Sequence, residues 1–174
     1  DELLCTSLPR TQIVFEEFSI IGMNRVHQMS IVFFSKSPEY GWLSNFSEHG
    51  FTLNGIRWPS VEHFYQAQKY AGTDVEHRIR GADTPLKARK IGQDRSLVVR
   101  SDWDAGKEAV MRQAVSAKFL QNRRLSDMLV STGDVELIHE SGSDFFWGRT
   151  LDGAGDNRLG LIIMEVRQTL RKPD

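Results

Sequence analysis

The pattern of apolar and polar positions changes partway along the chain. Residues 12–20, with Ile13, Val14, Phe15 and Phe18, and residues 30–35 (Ser-Ile-Val-Phe-Phe-Ser) are β-branched and aromatic, which predicts short strands. In residues 51–57, Asn54-Gly55 stands between Phe51/Leu53 and Ile56/Trp58. That dipeptide takes up positive φ at little cost and predicts a tight hairpin.

Helical spacing dominates from there on. Pro59-Ser60 opens a helix to about Tyr70, with Gly72 as its stop, and Thr84-Pro85 opens another that Gly92 can end. Ser101–Asp104 begins the longest predicted helix, to about Asn122; its apolar residues Trp103, Val110, Met111, Ala114 and Val115 recur at helical spacing. A shorter helix spans Arg124–Ser131 and closes at Gly133. Val135–His139 and Phe145–Gly148 read as short strands. Asn157 caps a final helix to about Arg171, with a buried stripe of Leu159, Ile162, Ile163, Val166 and Leu170 that Leu161 and Met164 widen. A helix apolar around so much of its circumference belongs at the centre of a fold. The expected architecture is α+β: one compact domain, mainly α, with a small β portion towards the N-terminus.

Composition narrows the class. The 174 residues carry 22 Lys and Arg against 23 Asp and Glu, a net charge of −1, which argues against a protein held on nucleic acid by bulk positive charge. An apolar fraction of 40% suits a soluble globular chain, and no apolar run approaches the ~20 residues that span a bilayer. The single cysteine, Cys5, excludes an intrachain disulfide and a multi-cysteine zinc site. The start, Asp1–Cys5, lacks the basic region of a signal peptide, so an intracellular, cytoplasmic setting is expected. The charge is uneven: residues 77–100 hold seven basic residues (Arg78, Arg80, Lys87, Arg89, Lys90, Arg95, Arg100) and two acidic ones (Asp83, Asp94), a balance of +5, and the rest of the chain carries −6. Such a run is either a solvated face or a place for phosphate contacts.

The chemistry concentrates on the helix after Trp58-Pro59-Ser60. Glu62, Gln66 and Lys69 share one face at i, i+4 and i+7, with Glu62 and Lys69 about 10.5 Å apart along the axis. Glu62 lies in the first turn, where free N–H groups and the helix dipole favour an ionised carboxylate. From spacing alone such a face is more often ordinary solvated surface, and a lone helical histidine such as His63 is more often structural or surface than catalytic. A second polar cluster runs through Asp144, Trp147 and Gly148 to Asn157-Arg158. There the N–H groups opening the last helix are positioned to hold a phosphate, with Arg158 beside them, unless Asn157 is simply a helix cap. Trp103 sits at core spacing, while Trp42, Trp58 and Trp147 lie beside turns where an aromatic face can stack on a base. Familiar nucleotide-binding, zinc-protease and serine-hydrolase motifs are absent.

These pieces together resemble the YbiA-like proteins of the NADAR (NAD- and ADP-ribose-associated) superfamily. The matching residues are Val32-Phe33-Phe34-Ser35, Ser44-Asn45-Phe46, Trp58-Pro59-Ser60-Val61-Glu62-His63 with Gln66-Ala67-Gln68-Lys69, Gly92 with Asp94-Arg95-Ser96, and Trp103. Lys107, Met111, Lys118-Phe119, Asp144 with Trp147-Gly148, and Asn157-Arg158-Leu159-Gly160 complete the set. The match divides the chain into residues 30–174, a YbiA-like domain, and residues 1–29, an N-terminal extension of unassigned role.

The resemblance implies an N-glycosidase that cleaves the bond between a ribosyl or ADP-ribosyl carbon and a base. Its substrate class would be ADP-ribosylated guanine, or the ribosylaminopyrimidine phosphates of riboflavin synthesis. It implies Glu62, Lys69 and Asp144 as catalytic candidates, with Lys69 either a Schiff-base nucleophile or a binding charge, and with Lys107 and Lys118, which also match, as alternative nucleophiles. Phe34, Asn45, Trp58, Gln66, Arg95, Trp147, Gly148, Asn157 and Arg158 are its substrate-binding candidates. No metal or cofactor is expected. The partner is a ribosylated nucleotide, or a modified base within nucleic acid, and not a membrane. The alternative is a module that binds ADP-ribose or NAD without turnover.

Overall fold

A computed structural model describes residues 30–172 of the chain. The expected strand at 12–20 and the extension 1–29 lie outside the described residues.

Strand β1 (Ser30–Phe33) pairs in parallel with β4 (Glu136–His139), Ser30 opposite Glu136 and Phe33 opposite His139. Between them in sequence lie β2 (Phe51–Leu53) and β3 (Ile56–Trp58), an antiparallel hairpin of its own. Its turn residues Asn54 and Gly55 both have positive φ, 51° and 74°, as the sequence anticipates. Helices α1 (Val61–Ala67), α2 (Asp74–Arg80), α3 (Pro85–Gly92), α4 (Trp103–Gln121) and α5 (Arg123–Ser131) fill the crossover, and α6 (Arg158–Arg171) closes the chain.

Local chemistry explains most boundaries. The Ser60 hydroxyl accepts from His63 N and starts α1, and Thr84 does the same for Lys87 N at α3. A 3₁₀ turn (Gln68–Tyr70) prolongs α1 to the residue expected. Helix α2 was not anticipated. It carries only Val75 and Ile79 as apolar positions, although Thr73 and Glu76 have the spacing of a capping box.

The core runs from Phe33 and Leu137 through Phe51, Trp58 and Phe64 to Met111, Phe119, Leu129, Ile162 and Ile163. Trp103, Val110, Met111, Ala114 and Val115 are all buried, as their spacing predicts. Leu161, expected to widen the α6 stripe, is instead 38% exposed, because that helix packs against β4, α4 and α5 and leaves its far side to solvent. The strand expected over Phe145–Gly148 is a turn over Phe145–Trp147. Asp144 organises that turn, its carboxylate accepting from Trp147 N at 3.0 Å. No helix among the described residues is long and apolar enough to cross a membrane.

Candidate active site

The two parallel strands end at the same edge, and a cleft of about 390 Å³ opens just beyond them. That size falls in the usual range for small-molecule sites, about 300–1,000 Å³. Phe34 and Ser35 follow β1 into its lining, and beside them His139 at the end of β4, with Glu140 and Ser141 beyond it, lines the cleft too. Helix α1 supplies Glu62, Tyr65 and Gln66, and the 3₁₀ turn after it Lys69; α3 supplies Leu86 and Arg89; the 140–147 loop adds Asp144 and Trp147.

Glu62 is only 2% exposed and Gln66 3%, so the polar face of α1 is buried, not solvated. Both carboxylate oxygens of Glu62 are held. Gln66 Nε2 donates to Oε1 at 2.8 Å, and Asn45 Nδ2 donates to Oε2. The Asn45 carbonyl also accepts from Glu62 N at 3.0 Å. Burial raises the Glu62 carboxyl above its ordinary value, against the pull of the Gln66 bond and of Arg89 and Lys69. Desolvation therefore outweighs the helix-terminus effect expected from the sequence.

Lys69 is half-buried, and its ammonium donates to Gly92 O at 3.2 Å. It lies 5.8 Å from the ring centroids of both Tyr65 and Trp103. Burial lowers its pKa, Arg89 lowers it further, and Glu62 opposes both. The burial and cationic neighbour that a nucleophilic lysine needs are both present.

Phe34, Asn45, Glu62, Gln66, Lys69, Asp144 and Trp147 thus share one cleft. The other candidates lie outside its lining. Trp58 is 1% exposed and packed edge-on against Phe64 at 5.0 Å, so neither ring face is free to stack on a base. Arg95 is exposed. Arg158 is paired with Glu108, Nε to Oε2 at 3.1 Å. Asn157 adopts φ 49°, and its side chain bridges to β4, accepting from His139 N and donating to Leu137 O, each at 2.9 Å. The N–H groups of Asn157, Arg158 and Leu159 donate to the carbonyls of Gly148, Phe146 and Trp147, each at 3.1 Å. The first three N–H groups at the start of α6 are therefore taken up by this chain's own backbone and are not open to a phosphate. Gly148 is buried in that same backbone mesh.

Sequence reasoning missed several cleft residues, among them Arg89, Tyr65 and His139. Arg89, alone among the seven basic residues of the 77–100 run, lines the cleft, 5.8 Å from the Phe46 ring. The run signalled a cation but not which one. Tyr65 Oη accepts from Trp147 Nε1 at 3.1 Å, and burial raises its pKa, so the phenol keeps its proton. His139 lines the cleft at the end of β4, its pKa lowered by burial, with Nδ1 3.4 Å from Trp147 O. Among the described residues no three His, Cys, Asp or Glu side chains come together as metal ligands.

The chain is a small α+β domain whose cleft brings together a buried carboxylate and a half-buried lysine. The NADAR domain model matches residues 32–171, and the chain belongs to that family. It is 38% identical over 149 residues to the N-glycosidase YbiA of Escherichia coli, covering 85% of this chain and 93% of that protein. The NMR structure of E. coli YbiA has the same fold, with a TM-score of 0.74 over 80% of this chain and 83% of that one. The N-glycosidase Npun_R5314 of Nostoc punctiforme is 40% identical over 82% of this chain and 94% of that protein. Riboflavin biosynthesis protein VVA0006 of Vibrio vulnificus is 37% identical over 86% of this chain, which spans 41% of that longer protein.

Proposed function

We propose that the chain hydrolyses the N-glycosidic bond between a ribosyl C1 and a base nitrogen, with Glu62 and Lys69 as the reacting pair. One observation carries the reading: a carboxylate gripped on both oxygens shares a cleft with a lysine driven towards its neutral amine.

In this reading Glu62 stabilises the positive charge that develops at C1 as the base departs. The neutral Lys69 amine adds to C1, and the proton it sheds neutralises the departing base nitrogen. Ring opening then breaks the bond from C1 to the ring oxygen, which takes the remaining Nζ proton and becomes a hydroxyl, and leaves a Schiff base between C1 and Nζ. Water hydrolyses that imine, returning the free amine and the sugar. Trp147 and Phe34 are placed to cover the base or ribose. Arg89, rather than Arg95 or Arg158, holds the phosphate in this reading, and Asp144 is a second carboxylate within the cleft.

The substrate class is a ribosylated base bearing phosphate. Relatives named as N-glycosidases and as a riboflavin biosynthesis protein support it. The test is incubation with ADP-ribosylated guanosine and, separately, with a ribosylaminopyrimidine phosphate, following base release by chromatography. Release from at least one is expected. Binding of ADP-ribose with release from neither would replace this reading by that of a binding module.

A further inference from the structure

Lys118, in the last turn of α4, is an interior cation that the chemistry above does not use. It is 1% exposed. Its Nζ donates to Trp42 O at 2.6 Å and to Ser44 O at 2.9 Å. Its desolvation is offset by no nearby carboxylate among the described residues. A buried cation without a counter-charge is costly, and such violations gather where function requires them.

The two carbonyls it grips flank Leu43, and Asn45 comes next. Asn45 makes two of the contacts that fix Glu62, through its carbonyl and its side-chain amide. Gln66 makes the third from within α1 itself. The Asn45 arm thus reaches Glu62 from a separate loop, and that loop is tied to α4 by Lys118.

We propose that Lys118 is a positioning residue: by pinning the carbonyls of Trp42 and Ser44 to α4, it sets where Asn45 presents its amide and so orients the Glu62 carboxylate. Burial pulls Lys118 down to about 7. The neutral amine still carries two N–H groups, enough for both carbonyls, so the clamp persists in either protonation state.

The inference rests on Glu62 being the working carboxylate, but its first readout needs no turnover. In ¹⁵N-labelled, ligand-free protein, Lys118→Met should accelerate solvent exchange of the Asn45 side-chain amide by about tenfold or more, as expected for local opening. The Gln66 amide, held within α1, should keep its wild-type exchange. Unchanged Asn45 exchange would overturn the proposal. Equal acceleration at both amides, with the whole spectrum shifted, would also overturn it by showing a purely structural role. In turnover, kcat should fall about tenfold with KM within about twofold, and Lys118→Met should add nothing in an Asn45→Ala background. Multiplicative losses in that cycle would contradict action through Asn45. Should Lys118→Met fail to fold, Lys118→Leu, which likewise removes the donor, is read by the same criteria. A wild-type protein that releases no base would remove the glycosidase reading, while the amide exchange would still decide the positioning role.

Discussion

Replacing Gly92 by alanine probes how tightly the cleft is built. Gly92 ends α3 with helical backbone, and a helical glycine changed to alanine ordinarily stabilises by up to ~1 kcal/mol. Here the added Cβ would fall 2.3 Å from Gln66 Oε1 and 2.7 Å from Gln66 Cβ. Gln66 has little room to yield, being buried and bonded to Glu62 through its other amide atom. The Gly92 carbonyl also accepts from Lys69 Nζ and Tyr70 OH, each at 3.2 Å, so a shift of this backbone disturbs both. Overpacking costs ~1–3 kcal/mol and each weakened hydrogen bond about 1 kcal/mol. Against the helix gain, the net expectation is a loss of ~1–3 kcal/mol in urea denaturation. If Gln66 swings away, Glu62 loses a bond that favours its ionised form, and the acid limb of the rate profile moves to higher pH. A Gly92→Ala protein more stable than wild type by ~0.5–1 kcal/mol, with an unchanged pH profile, would refute the described packing.

Glu62→Gln should lower turnover by at least about 10² with the fold intact, measured as base release, since charge is lost at nearly constant size. The folded state binds the Glu62 proton more tightly than the unfolded chain. Its contribution to stability is therefore full below pH 4.5 and declines as pH rises through the shifted value. Urea midpoints compared across pH should show Glu62→Gln lacking that decline. Arg89→Ala should raise KM for a phosphorylated substrate about tenfold, by loss of a charge-assisted contact. Because Arg89 also lowers the Lys69 pKa, its removal should move the ascending limb of kcat/KM to higher pH. Asn157→Ala should cost ~2–4 kcal/mol in urea denaturation, because it strips the bridge to His139 N and Leu137 O.

Local signals carried much of the fold. Asn54-Gly55, Ser60, Thr84-Pro85 and the spacing along α4 each act over a few residues, and each element formed where its signal stood. Phe145–Gly148 misled because its aromatic run suits a strand, while the Asp144 carboxylate turns the chain there. Glu62 and Lys69 were legible as a pair on one helical face, but not their burial. What covers them is the 44–46 loop, α3 and the 140–147 loop, all remote in sequence. Arg158 and Asn157 looked equally available in sequence, yet Glu108 and β4 had already engaged them.

The central claim is that Lys69 attacks C1 in a cleft where Glu62 steadies the charge. Borohydride added during turnover, followed by peptide mass mapping, tests it most directly. The prediction is a sugar adduct on Lys69, absent from Lys69→Ala and strongly reduced in Glu62→Gln. Base release without an adduct at Lys69, or an adduct on another lysine, would contradict it.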